Sequence, residues 1–188
     1  MHDRSIPMIS LAMKADTLEN MPTFDLPEGY SWRYFQPGDE RLWAQIETSA
    51  GEFETVEGGI VGFHRYYPET DQLDGRMIFL TENGVPFATA TAWFGDDDPN
   101  EGRLHWVSVD EPHQGRGLSW PLVSMTMHRM RELGHQTAYL TTQTASWVAI
   151  RVYHRFGFRP DVREEKEIEG WRIVSEKTGI DFMKDIQK

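Results

Sequence analysis

The densest chemistry in this 188-residue chain lies between Leu104 and Ser119, LHWVSVDEPHQGRGLS. Gln114-Gly115-Arg116-Gly117 joins a β-branched and aromatic run to a helical pattern. A glycine-rich turn at such a junction suits a phosphate. Its glycines admit close approach, and the first amides of the following helix point outward at the positive end of the helix dipole. The turn is neither of the two common nucleotide loops. It lacks the Gly-Lys-Ser/Thr ending of a P-loop, and the strands before it read as an antiparallel meander rather than the start of a parallel dinucleotide-binding sheet. Other titratable residues are His105, ahead of the turn, Glu47, Glu52 and Glu54, and the loop Asp96-Asp97-Asp98. These carboxylates read either as amine-binding groups or as solvated surface charge. The seven histidines show no spacing such as H-E-x-x-H and cysteine is absent, so no metal is expected.

The elements that must carry these residues follow from period and punctuation. Residues 104–109 alternate as a strand, which would set His105, Val107 and Val109 on one face. A helix opens near Gly117, with Leu118, Leu122, Met125 and Leu133 on its apolar stripe, and Gly134 ends it. Residues 137–142 (TAYLTT) form the next strand. Strand, helix and strand make a βαβ unit, whose strands run parallel. Upstream, residues 76–81 and 86–94 form a hairpin over Asn83-Gly84. Residues 30–35 (YSWRYF) are a strand, and Asp39 is the N-cap of a helix whose face carries Leu42, Trp43 and Ile46. Residues 51–74 hold a second helix that Pro68 ends. Residues 1–29 are an N-terminal arm with a short strand around Ile9, Leu11 and Met13. A helix runs from Ser146 to about Phe156, and Gly157 follows it. Residues 162–168 and 171–175 read as a hairpin around Glu169-Gly170. The tryptophans read as packing residues. Without repeats or linkers, residues 1–188 read as one domain.

Two spacings then fall into one pattern. Gln114, Gly117 and Ser119 match Q/R-x-x-G-x-G/A, with Ser at the last place. Ser146, Ala149, Tyr153, Gly157 and Phe158 match N-x-x-A-x-x-x-Y-x-x-x-G-F, with Ser at the first. In this order, and on these elements, the chain resembles the GNAT superfamily of acyl-CoA-dependent N-acetyltransferases, well over residues 76–158 and loosely over the first strand and helix; the N-terminal arm is outside the resemblance.

The resemblance implies an α/β fold in α+β layering. It would be a mixed, mostly antiparallel central sheet of six to seven strands, with helices on both faces and a βαβ CoA-binding unit. It implies an N-acetyltransferase that moves an acetyl group from acetyl-CoA to the amine of a small molecule or peptide by direct attack. The pyrophosphate would rest on Gln114, Gly115, Arg116, Gly117, Leu118 and Ser119. The pantetheine amides would pair with Val107, Ser108 and Val109 as a pseudo-strand. Tyr153 would give a proton to the departing thiolate. Ser146 would contact CoA or simply cap its helix. The amine must lose a proton, and His105, or a water it orders, is the first candidate for the base. The same segment resembles that of arylalkylamine N-acetyltransferases, where strand histidines assist deprotonation. His105 matches one of them, and Arg103 stands where its companion would be. Thr141 occupies the approximate position of the strand glutamate found in many protein N-terminal acetyltransferases, and it cannot serve as a base. The alternative is a non-catalytic acyl-CoA-binding or interaction module on the same fold.

Composition narrows the partners. A formal net charge of -11 argues against nucleic acid, which needs a basic face, and is compatible with a cationic amine. No apolar run reaches the roughly 18 residues of a membrane span. No basic segment followed by an apolar stretch opens the chain, and with no cysteine a cytoplasmic protein is expected. A homodimer is compatible with the sequence, which carries no sign for or against it.

Overall fold

A computed structural model describes residue 3 and residues 5–186. Its strands are β1 (Ser10–Ala15), β2 (Tyr30–Tyr34), β3 (Met77–Glu82), β4 (Val85–Phe94), β5 (Glu101–Val109), β6 (Thr137–Gln143) and β7 (Arg159–Pro160). Its α-helices are α1 (Glu40–Ala50), α2 (Val56–Tyr66), α3 (Ser119–Glu132), α4 (Trp147–Arg155), α5 (Glu165–Thr178) and α6 (Met183–Ile186). The chain packs as two compact units. The turn unit holds Thr23–Trp93 and Leu104–Leu133. The tyrosine unit holds the described residues through Pro22, Phe94–Arg103 and those from Gly134 onward. Strand β5 changes unit after Arg103.

In the turn unit the strands bond in the order β2-β3-β4-β5. β2 and β3 are antiparallel, as are β3 and β4. Asn83 and Gly84 turn the second pair with φ of 51° and 81°, the left-handed geometry that an Asn-Gly hairpin needs. Successive β3 side chains go to opposite faces, and both faces are buried. Met77 and Phe79 join Phe35, Trp43, Ile46 and Phe63 beside α1 and α2, whereas Ile78 and Leu80 join Phe87, Leu118 and Leu122 beside α3. The burial of these aromatic and aliphatic groups is the main stabilising term for the unit. Residues 104–109 of β5 end the strand order of this unit.

In the tyrosine unit the order is β5-β6-β1-β7. The start of β5 runs parallel to β6, with Glu101 opposite Thr137 and Arg103 opposite Tyr139. A parallel neighbour requires a crossover, and α3 supplies it in the chain. β1 is antiparallel to β6 throughout and to β7 at Met13 and Lys14. The N-terminal arm therefore contributes an interior strand of its unit. The fold is mixed and mostly antiparallel, with seven strands among the described residues.

One expected element is corrected. Residues 162–175 do not form a hairpin; most of them lie in α5. Gly170 read as a turn signal, yet it sits inside the helix where α5 packs on the sheet. A Cβ there would stand 2.9 Å from Leu11 Cδ2 and 3.2 Å from Ile9 Cγ2 and Thr144 Cγ2. Glycine is needed for that close approach, not for a bend. No described helix is long and apolar enough to cross a membrane.

Candidate functional site

Strand β5 contains a non-glycine residue in the left-handed region, Trp106, at φ 49°. Such a residue inside a strand acts as a bulge and interrupts the alternation of side chains. The His105 ring lies edge-on to Tyr66 and Tyr67, at 6.1 and 5.7 Å between ring centres. Trp106 follows it into the same cluster, 5.2 Å from Trp43, 5.6 Å from Phe53 and 4.7 Å from Tyr66. Val107 and Val109 instead pack with the cluster around Leu118 and Leu122. The expected common face of His105, Val107 and Val109 is thus overturned, because the bulge shifts the parity of the strand between them. His105 is buried among aromatic rings, at 7% exposure.

Beyond the bulge Ser108 returns to the α1 side. Its hydroxyl donates to Glu47 Oε2 at 2.6 Å. Glu47 belongs to the buried face of α1 with Trp43, Ala44 and Ile46, and it is 0% exposed. Burial pushes its carboxyl well above the usual glutamate range; the Ser108 hydrogen bond pulls the other way, and the charge of Glu52 adds to the rise. Glu47 had two sequence readings, amine ligand or surface charge, and its burial excludes the second. The signal was present, since Glu47 stands one helical turn after Trp43 and next to Ile46 on the apolar stripe. Glu52, Glu54 and Asp96-Asp97-Asp98 are exposed.

The turn after β5 is braced from several sides. Gln114 Nε2 donates to the Val109 carbonyl at 2.8 Å, which ties the turn to the strand end. Arg116 donates to the Pro112 carbonyl at 2.9 Å and to the Tyr30 hydroxyl at 3.2 Å. His113, which the sequence reading passed over, stacks on Phe87 with ring centres 4.1 Å apart. Its Nδ1 lies 2.5 Å from Asp110 Oδ1 and its Nε2 lies 3.3 Å from Glu82 Oε2. Gly115 and Gly117 take φ of 77° and 78°, which L side chains adopt only with strain, and α3 opens at Ser119. Leu118 is buried at 2% exposure and anchors the turn to the core. Among the described residues no acceptor pairs with the amides of Gly115, Arg116, Gly117, Leu118 or Ser119. Five consecutive N–H groups at a helix N-terminus form a cradle for an anion.

The model of the acetyltransferase (GNAT) family matches residues 16–158, a stretch that includes β5, the turn, α3 and α4. The chain belongs to the GNAT acetyltransferase family. Among curated relatives of this GNAT chain, a mycothiol acetyltransferase of Rhodococcus erythropolis is 37% identical over 153 residues, 73% of this chain and 49% of the relative. One of Corynebacterium aurimucosum is 33% identical over 129 residues, 63% and 42%. The chain spans about half the length of the curated relatives it matches. Among solved structures, a GCN5-related N-acetyltransferase from Sphaerobacter thermophilus has a TM-score of 0.65 at 24% identity, over 81% of this chain and 48% of that one, which is a likeness of fold.

The remaining GNAT motif residues lie in the tyrosine unit. Tyr153 is on α4, 8% exposed, its ring 6.2 Å from Phe158. Ser146 occupies the N-cap position of α4 without a capping hydrogen bond, so the simple capping role is not seen. Arg103 donates to Thr141 Oγ1 at 3.2 Å and lies 5.5 Å over the Tyr139 ring, which accounts for it structurally. Among the described residues no group of three or more His, Asp or Glu is gathered as a metal site would gather them.

Proposed function

We propose that this chain is an N-acetyltransferase that moves the acetyl group of acetyl-CoA to a primary amine. The observation that carries the reading is the cradle of five unpaired amides at Gly115–Ser119, at the end of β5 and inside the family match. GNAT acetyltransferases in general use acetyl-CoA and an amine acceptor. On this reading the pyrophosphate rests on those amides, and the pantetheine arm pairs with the backbone of Val107, Ser108 and Val109. Gln114 then acts by holding the turn to Val109. Arg116 adds charge at the rim, and Ser146 contacts the cofactor. The amine attacks the thioester carbon directly, a strand amide polarises the carbonyl oxygen, and Tyr153 protonates the departing thiolate. His105 on β5 and Glu47 on α1 are the two candidates for taking the amine proton.

The curated relatives bear the name mycothiol acetyltransferase. For this chain the acceptor class is a small molecule or peptide with a primary amine, and the acidic balance suits a cationic one. Calorimetry with acetyl-CoA, followed by thiol release across an amine panel, tests the proposal. Binding with turnover on at least one amine is expected. Binding without turnover on any amine would mean a non-catalytic acyl-CoA module, and no binding would remove the cofactor assignment.

A further inference from the structure

The five amides of the cradle hold an anion only while they converge, and two of them belong to glycines. Gly115 and Gly117 populate many conformations at little steric cost, so the shape of the cradle depends on the side chains that flank it. His113 is the flanking residue on the β5 side. Its ring lies flat on Phe87 of β4, 4.1 Å between centres, and Phe87 also meets Tyr30 of β2 edge-on at 5.4 Å. Asp110 Oδ1 faces His113 Nδ1 at 2.5 Å, and Oε2 of Glu82, the last residue of β3, faces Nε2 at 3.3 Å. The same Asp110 oxygen accepts from the His113 backbone N–H at 3.2 Å, and the Asp110 N–H donates to the Phe87 carbonyl at 2.9 Å. One imidazole thus joins the hairpin end of β3 and β4 to the end of β5, directly ahead of the turn.

Both partners of the ring are carboxylates. An imidazole donates to two acceptors only when both nitrogens carry hydrogen, which is the charged form. The neutral ring has one N–H. It can keep the shorter contact, to Asp110, but then sets a lone pair against Glu82, whose side chain is 42% exposed and can turn to water. Protonation therefore decides whether the hairpin end is fastened to the turn.

We propose that His113 is a positioning residue for the cofactor: as the imidazolium it clamps Asp110 and Glu82 together and holds the amide cradle in its anion-binding shape, so acetyl-CoA binds more tightly at lower pH. The inference rests on the acetyl-CoA reading above. The other charged or titratable groups around the ring are Glu111, whose N–H donates to Ser49 Oγ at 3.0 Å, Tyr30, and Arg116, which donates to the Tyr30 hydroxyl and feels the charges of both Glu82 and Asp110. With His113 neutral, Arg116 alone offsets the two carboxylates, and the field beside the cradle is one charge less favourable to an anion. Loss of the clamp and loss of the charge act in the same direction.

The test is calorimetry of acetyl-CoA from about pH 5.5 to about pH 8, the range in which imidazoles lose their proton. Wild-type affinity should fall about tenfold across it. The 3′-phosphate of the cofactor gains charge in the same range, which strengthens binding as pH rises and so has the opposite sign. His113→Phe keeps the stack on Phe87 and should remove the fall, leaving the weaker affinity at every pH. A ring that only packs would leave the pH dependence of the variant equal to that of the wild type, and that result overturns the proposal. Glu82→Gln should move the fall to lower pH, and an unmoved fall also overturns it. A second arm reads the ring itself. With 15N-labelled histidine, the midpoint of the His113 ring signals, assigned through His113→Phe, should rise by about one pH unit when acetyl-CoA saturates the protein, because linkage is reciprocal. A midpoint that the cofactor does not move overturns the proposal. If the wild-type protein binds no acetyl-CoA at any pH, the acetyl-transfer reading itself fails; binding with equal pH dependence in wild type and His113→Phe removes His113 alone.

Discussion

The Ser108 hydroxyl donates to the Glu47 carboxylate across 2.6 Å, at a carboxyl closed to solvent. The two residues are 61 positions apart, so the bond joins α1 to the strand that leads into the turn. Glu47 is part of the buried stripe of α1. Its oxygen and the Ser108 hydroxyl therefore meet only because the bulge at Trp106 has already turned Ser108 to that side.

The pH dependence of stability should expose Glu47. Its folded carboxyl titrates above the unfolded value, with burial as the leading cause. The folded state then holds the proton more tightly. The stabilisation from this group is complete below the ordinary glutamate range and is lost as pH rises through the folded value. Glu47→Gln removes that loss. The stability of the variant relative to wild type should grow by about 1.4 kcal/mol per pH unit inside the window. Urea unfolding at several pH values measures it, and a difference that stays flat would show an ordinary carboxyl.

Trp106 should reverse the usual order of Gly and Ala in a strand. In an ordinary strand interior Gly costs about 0.5–1 kcal/mol more than Ala. At φ 49° a Cβ carries a penalty of about 1–2 kcal/mol. Both substitutions lose the packing against Trp43, Phe53 and Tyr66. Trp106→Gly should nevertheless be the more stable of the two in denaturant melts. Trp106→Ala coming out above it would mean that the backbone there is not left-handed.

Gly115→Ala meets no neighbouring atom within 4 Å, so its effect isolates backbone conformation. With φ at 77° the substitution should cost about 1–2 kcal/mol of stability. Where the same amides bind pyrophosphate, distortion of the turn should also weaken acetyl-CoA binding by roughly tenfold. Calorimetry of Gly115→Ala and Gly117→Ala reads this directly. Unchanged affinity in both variants would move the cofactor away from the turn.

Tyr153→Phe keeps the ring that packs by Phe158 and removes only the hydroxyl. Acetyl-CoA affinity should hold, and kcat should fall by ~100-fold or more if the hydroxyl protonates the thiolate. Full turnover in the variant would assign the proton to another donor.

Much of the architecture is written locally. Asn83-Gly84 specifies its own hairpin, because both residues tolerate positive φ. The glycines of the 114–119 turn, followed by an apolar helical stripe, specify the strand–turn–helix. The two motif spacings lead to the GNAT family from residues 114–158 alone. Each of these depends on neighbours within a few turns of chain, so composition and period suffice.

What the tertiary structure alone decided is which side chains are buried and against what. Gly170 has the local signature of a bend, but contacts with Leu11 and Thr144, far away in sequence, make it a helix residue at a close approach. His105 has the alternation of a strand residue, and the bulge at Trp106 separates it from Val107 and Val109. Glu47 looks like one surface carboxylate among thirty acidic residues until α1 lies against β5. The sequence by itself determined most elements before residue 160, the turn and the family, but not α5. Burial, strand parity and the pairing of Glu47 with Ser108 depend on contacts between distant segments, which no local pattern records.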